Sequence, residues 1–227
     1  MNNPKSISLV FPLYKDKSTV KTMISKSLKI LKKTKKKFEI IIIDDGCPEN
    51  SGKIAQSYAK KYPYVKIFFH KKNLGYGAAI KTGIKQSKYE CIFLIDGDNE
   101  YNVNDLPRML KKFKNNDLVI TYRYKNKNKI KRIFISYVYN LIIRLLFKTS
   151  FKDISVGSKL ISKQLKNKII LKSNSPFVNA ELAIKSKYYG YRVDEIGIQH
   201  HLRVVGKGSV VTVKNILLMV KEIVILF

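Results

Sequence analysis

The feature that most constrains this chain is an alternation running through its first 120 residues. Short, continuous apolar runs, Ile7–Leu13, Phe38–Ile43, Val65–Phe69, Cys91–Ile95 and Leu118–Thr121, are separated by stretches with a different rhythm. Lys17–Lys33 places Val20, Ile24, Leu28 and Leu31 at helical spacing, and Ser51–Lys61, Tyr76–Ser87 and Asn104–Phe113 follow the same pattern, the last opened by an Asn cap. A strand with no polar alternation is buried on both faces. The pattern therefore predicts an α/β fold: a Rossmann-like, mostly parallel sheet flanked by helices. Such sheets bind ligands beyond the carboxyl ends of their strands.

Those ends are where the polar residues gather. Tyr14 and Asp16 follow the first run, Asp44 and Asp45 the second, Asn73 and Gly75 the third, Asp96 and Asp98 the fourth. Asp96 and Asp98 stand two positions apart, so on extended backbone they point the same way. Mg²⁺ or Mn²⁺, which take oxygen ligands and share them with substrate phosphates, suit such a pair, with Glu100 as a third carboxylate. Asp44-Asp45 reads either as a turn into a helix or as an acceptor for a base or ribose. Asn73 to Gly77 resembles a phosphate-binding loop but lacks the Walker lysine and the dinucleotide fingerprint.

The second half is less regular. Arg132–Phe147 predicts a long, largely apolar helix, Ser155–Ile161 a strand, Phe177–Tyr189 a helix and Tyr191–Ile198 a strand. Val213–Val224 reads as an amphipathic helix suited to a membrane interface. The expected organisation is one domain over 1–210 with residues 211–227 as a terminal helix. No run reaches the roughly 18–20 apolar residues of a membrane span, and no signal peptide is visible.

The net charge of +29 points to nucleic acid, an anionic membrane surface or phosphorylated substrates, though lysine bias accounts for part of it. Lysines run along the whole chain, with one denser stretch at Lys32–Lys37, and no nucleic-acid module is present, so nucleic acid is not the expected partner. Only six of the 45 basic residues are Arg: Arg108, Arg123, Arg132, Arg144, Arg192 and Arg203. In so lysine-rich a chain, an Arg marks a place where a planar, bidentate fork matters. Two cysteines, Cys47 and Cys91, are too few for a disulfide framework and fit a reduced, cytoplasmic compartment.

Taken in order, the segments FPLYKD, IIIDDGCPENSG, KNLGYGAAIKTGI, FLIDGDNEYNVNDLPRML, VITYRY, KRIFISYVYNLIIRLLF, DISVGSKL and HHLRVVGKGS resemble family 2 glycosyltransferases of the GT-A fold. The resemblance is to the branch of dolichol-phosphate mannose synthase and polyprenol-phosphate glycosyltransferases, over roughly residues 6–210. It implies that a GDP- or UDP-linked sugar is held by Pro12, Tyr14, Asp16, Ile43, Asp45, Gly75, Asp96, Gly97, Asp98, Arg123 and Arg203. It implies a metal at Asp96, Asp98 and Glu100. It places Arg123, Arg132 and Ser136 on the acceptor phosphate, and Asp98 and Arg203 among the catalytic groups.

The reaction so implied is inverting transfer to a polyprenyl phosphate by a peripheral enzyme at the cytoplasmic face of a membrane. The alternative acceptor is a glycan hydroxyl, which needs a general base. Asn179 stands where some relatives place a carboxylate, and Asp153 is then the candidate base. Departures from the family pattern are Asp16 for Glu, Cys47 for Ser, Asn179 before Ala180-Glu181, and Lys207-Gly208-Ser209 after the loop arginine.

Overall fold

The computed structural model describes residues 3–125, 130–201, 218–219 and 221–223. Arg203, Lys207 to Ser209 and most of the expected terminal helix lie outside the described residues, as does the 210/211 boundary.

Among the described residues, seven strands form one sheet in the order β3-β2-β1-β4-β6-β5-β7. They are β1 (Ser6–Leu13), β2 (Lys37–Asp44), β3 (Val65–Phe69), β4 (Cys91–Leu94), β5 (Leu118–Lys125), β6 (Lys159–Ser162) and β7 (Val193–Gln199). All pairings are parallel except those of β6, which runs antiparallel to both β4 and β5. β1 is buried along its whole length, as its uninterrupted apolar pattern requires.

The helices are α1 (Val20–Lys33), α2 (Ser51–Lys61), α3 (Tyr76–Gln86), α4 (Leu106–Phe113), α5 (Ile130–Phe147), α6 (Lys163–Lys168) and α7 (Val178–Tyr188). Two apolar cores lie on the two sheet faces. Alternate β1 and β2 residues divide between them: Leu9, Phe11, Ile40 and Ile42 join one, Val10, Ile41 and Ile43 the other.

Two expectations are corrected in detail. The cap expected at Asn104 belongs to Asn102, whose side chain accepts from the Asn104 N–H at 3.0 Å and starts a 3₁₀ turn before α4. The strand expected over Ser155–Ile161 is the shorter β6, because residues 155–158 turn toward the carboxylate rim instead of pairing. The six-residue α6 was not anticipated.

Candidate active site

The sheet order places the carboxyl ends of β1, β2 and β4 side by side, and a cavity of about 700 Å³ opens there. Pro12, Tyr14, Asp16, Asp45, Gly75, Asp96, Gly97, Asp98, Glu100, Arg123, Arg132 and Ser136 all line it. Twelve of the expected site residues, drawn from segments 124 positions apart, therefore meet in one space (Pro12 to Ser136). Ile43 does not line it: its side chain is fully buried in the apolar core, so any role it has passes through its backbone.

The two acids after β2 divide the alternatives posed for them. Asp44 serves the turn, its Oδ1 accepting from the Cys47 N–H at 2.7 Å. Asp45 faces the cavity and holds the Gly-rich loop, accepting from the backbone N–H of Leu74 at 2.9 Å and of Gly75 at 3.0 Å. Gly75 has φ +100°, and a Cβ there would stand 2.6 Å from the Asn174 carbonyl oxygen. Only glycine lets this loop lie so close under residues 173–175.

Asp96 is held through linked side chains from two helices, α3 and α7. Tyr76 Oη donates to its Oδ1 at 2.7 Å, and Asn179 Nδ2 in turn donates to Tyr76 Oη at 3.3 Å. Its carboxyl is pushed up to about 6, chiefly by burial, with Glu100 and Asp16 adding repulsion while the Tyr76 hydrogen bond and Lys159 oppose it. Gly157 makes room for this carboxylate: a Cβ there would lie 2.3 Å from Asp96 Oδ1 and 2.6 Å from Tyr76 Oη. Acids crowded against burial cost in this way fit a divalent cation, which removes the repulsion.

Glu100 is the third carboxylate of the expected metal set. Among the described residues no three His, Cys, Asp or Glu side chains are grouped to hold a metal ion. Glu100 is engaged otherwise: its Oε2 lies 3.1 Å from His200 Nε2 and 3.4 Å from Arg132 Nη2, while its backbone N–H donates to Asp98 Oδ1 at 3.0 Å. Asp96 and Asp98 both line the cavity, and two carboxylates suffice for a cation where substrate phosphates complete the shell.

Arg123 is built into the floor of the site. Its Nε donates to Asp153 Oδ2 at 2.7 Å, and its Nη2 to Ser136 Oγ at 2.8 Å and Ser155 Oγ at 3.1 Å. Asp153, the candidate base, is thereby engaged by Arg123. Burial would raise its carboxyl, but the Arg123 charge and hydrogen bonds from Arg123, Ser155 and Asn140 hold it below its ordinary value. It is a poor proton acceptor and a strong holder of Arg123.

One wall of the cavity is apolar. Ile135, Val138, Tyr139 and Ile142 come from the same helix as Arg132 and Ser136, and Leu218, Met219 and Ile223 approach from the end of the chain. The latter segment is tied down by Glu222, which accepts from Ser173 Oγ at 2.7 Å and the Asn174 N–H at 2.9 Å, and also meets Ser175 Oγ.

The glycosyl transferase family 2 sequence profile matches residues 8–171, a span that holds every residue just described except those after α6. The chain belongs to glycosyl transferase family 2. A dolichyl-phosphate beta-glucosyltransferase of Trichomonas vaginalis is 25% identical over 210 residues, covering 85% of this chain and 65% of the relative. One from Dictyostelium discoideum is 27% identical over 182 residues, covering 72% of this chain and 56% of the relative. The chain thus spans less than two thirds of the length of these curated relatives.

Among solved structures, glucosyl-3-phosphoglycerate synthase from Mycobacterium tuberculosis, in complex with Mn²⁺, UDP and phosphoglyceric acid, superposes with a TM-score of 0.71. It is 13% identical, with 89% of this chain and 72% of that chain covered. The fold of this family 2 member is GT-A.

Sequence reasoning missed several residues that shape the site. Lys159 is fully buried on β6, donates to the Val156 carbonyl oxygen, and is pulled down to about 7 by burial against the attraction of Asp96 and Asp153. A lysine inside an apolar strand was the signal for it. Tyr76 and Gly157 carried no local signal, since each acts through a residue distant in sequence.

Proposed function

We propose that this family 2 member transfers a hexose from a nucleoside-diphosphate sugar to a polyprenyl phosphate, with inversion at the anomeric carbon. One observation carries the proposal: a single cavity joins an acidic rim, a pair of arginines and an apolar wall. Arg132 and Ser136 share a helix with Ile135, Tyr139 and Ile142, so a phosphate held by the first two lies within a helical turn or two of the apolar side chains. That is the chemistry of a phosphate attached to a hydrocarbon chain.

Asp45 and Asp16 hold the nucleoside, and Asp96 and Asp98 would hold a divalent cation, Mg²⁺ or Mn²⁺, beside the diphosphate. A cation held there would supply positive charge to neutralise the departing diphosphate. Arg203, which matches a catalytic arginine in the family, adds charge to that leaving group. Arg123 and Arg132 orient the acceptor phosphate, whose anionic oxygen attacks the anomeric carbon from the face opposite the diphosphate. No general base is needed, because a phosphate monoester oxygen is already ionised at neutral pH. The engagement of Asp153 by Arg123, and an amide at Asn179, favour this acceptor over a glycan hydroxyl.

Peripheral attachment at the cytoplasmic face of a membrane follows from the acceptor. Among the described residues no helix is long and apolar enough to cross a membrane. α5 nonetheless exposes Ile130 (86%), Phe134 (64%), Tyr137, Leu141 and Leu145 (71%) at spacings of three and four, forming one apolar stripe. A basic chain of net charge +29 would hold such a stripe against anionic lipid.

Thermal melts with UDP or GDP, each with Mn²⁺, test the donor half. One pair should raise Tm, and the metal or nucleotide alone should do so much less. No shift with any pair would contradict the donor assignment.

A further inference from the structure

His70 does not line the cavity, yet it touches the acid that does. It follows β3, and its side chain is buried between β2 and α3, at 10% exposure. Its Nδ1 lies 2.7 Å from Asp45 Oδ1, and its Nε2 lies 3.0 Å from Thr82 Oγ1 on α3.

An ionised Asp45 can only accept, so Nδ1 carries the hydrogen. In the neutral imidazole Nε2 then accepts from the Thr82 hydroxyl. The chain Thr82–His70–Asp45 therefore runs in one direction and fixes the imidazole tautomer.

The count of lone pairs on Asp45 gives this contact its consequence. A carboxylate offers about four acceptor positions. His70 and the Leu74 N–H occupy Oδ1, and the Gly75 N–H occupies one position on Oδ2. The position left for a ligand in the cavity is on Oδ2, and a ligand there must present a hydrogen-bond donor.

We infer that His70, braced by Thr82, is a positioning residue for nucleoside recognition. It pins Oδ1 so that Asp45 Oδ2 meets a donor of the nucleoside, either an imide N–H of the base or a ribose hydroxyl. The inference rests on the nucleotide-sugar transferase reading and deepens it. Without the imidazole, Oδ1 keeps one backbone donor, the carboxylate can rotate, and the Thr82 hydroxyl loses its acceptor.

The experiment compares wild type, His70→Ala, His70→Asn and Thr82→Val on the whole chain. UDP and GDP affinities are measured calorimetrically with saturating Mn²⁺, and Mn²⁺ affinity alone by water-proton relaxation. His70→Ala should weaken the better-binding nucleotide about tenfold, the effect of losing one charge-assisted hydrogen bond, and leave Mn²⁺ affinity within about twofold. His70→Asn, whose amide N–H can take the place of Nδ1–H, should recover binding to within about threefold of wild type, and Thr82→Val should fall between.

Unchanged nucleotide binding in His70→Ala would overturn the inference while leaving the transferase reading intact. So would an equal loss of Mn²⁺ affinity, which marks a collapsed loop, or a failure of His70→Asn to recover. A wild-type protein that binds neither UDP nor GDP would overturn the transferase reading, and the inference with it.

Discussion

Tyr76 Oη donates to Asp96 Oδ1 over 2.7 Å, so a residue at the start of α3 fixes the carboxylate that follows β4. Groups that orient a metal-binding carboxylate are worth about 10–100-fold in metal affinity or activity. Tyr76→Phe keeps the ring packing and removes the donor. It should lower Mn²⁺ affinity and kcat/KM about tenfold at unchanged fold, read by relaxation titration, initial rates and circular dichroism. Equal activity in the variant would remove Tyr76 from the site's machinery.

Gly157 tests the same carboxylate from below. A methyl group there would meet both Asp96 oxygens, at 2.3 and 2.6 Å, and Tyr76 Oη. Gly157→Ala must displace the carboxylate or the strand carrying it, at a cost of about 1–3 kcal/mol in stability. Transfer should fall more than about a hundredfold, because the oxygens proposed to hold the cation leave their place. Denaturant melts and rate assays on one preparation separate the two effects.

The Arg123–Asp153 pair gives a pH signature. Asp153 has a folded-state value below its ordinary one, so its contribution is present above the ordinary carboxylate range and is lost as pH falls through the folded value. Asp153→Asn leaves Arg123 buried without its anion and should cost about 3 kcal/mol at pH 7. The gap between wild type and variant should shrink in urea melts taken below about pH 4, where the carboxyl begins to protonate in the unfolded chain, and close as pH falls through the lower folded value. A gap that widens in acid would contradict the assignment.

Much of this was legible in the chain itself, for a physical reason. Parallel strands buried on both faces must be apolar throughout, so Asp44, Asp45, Asp96 and Asp98 stand out at the points where the apolar runs end. The second half obeys no such rule. Strand direction is not written in hydropathy, so the antiparallel placement of β6 was invisible, and Lys159 breaks its apolar run. α6 spans less than two turns and carries three lysines, too little for a periodicity. The roles of Tyr76, Gly157 and His70 depend on contacts spanning 20, 61 and 25 positions, which local pattern does not encode.

Glu222 links the two sides of the cavity. It ties the segment bearing Met219 and Ile223 to residues 173–175, and Asn174 O in turn accepts from the Gly77 N–H at 2.8 Å. Glu222→Ala should release this apolar wall and raise KM for a long polyprenyl phosphate about fivefold, with little effect on the donor KM. A change confined to the donor would place the segment elsewhere in the reaction.

The most direct test of the account is the transfer itself. Radiolabelled UDP-glucose and GDP-mannose are each incubated with the protein, Mn²⁺ and polyprenyl phosphate in vesicles, with glycan acceptors run in parallel. The account predicts label in an organic-extractable, mild-acid-labile product, absent with EDTA and absent in Asp98→Ala. Label appearing only in an acid-stable glycan, or undiminished in Asp98→Ala, would contradict it.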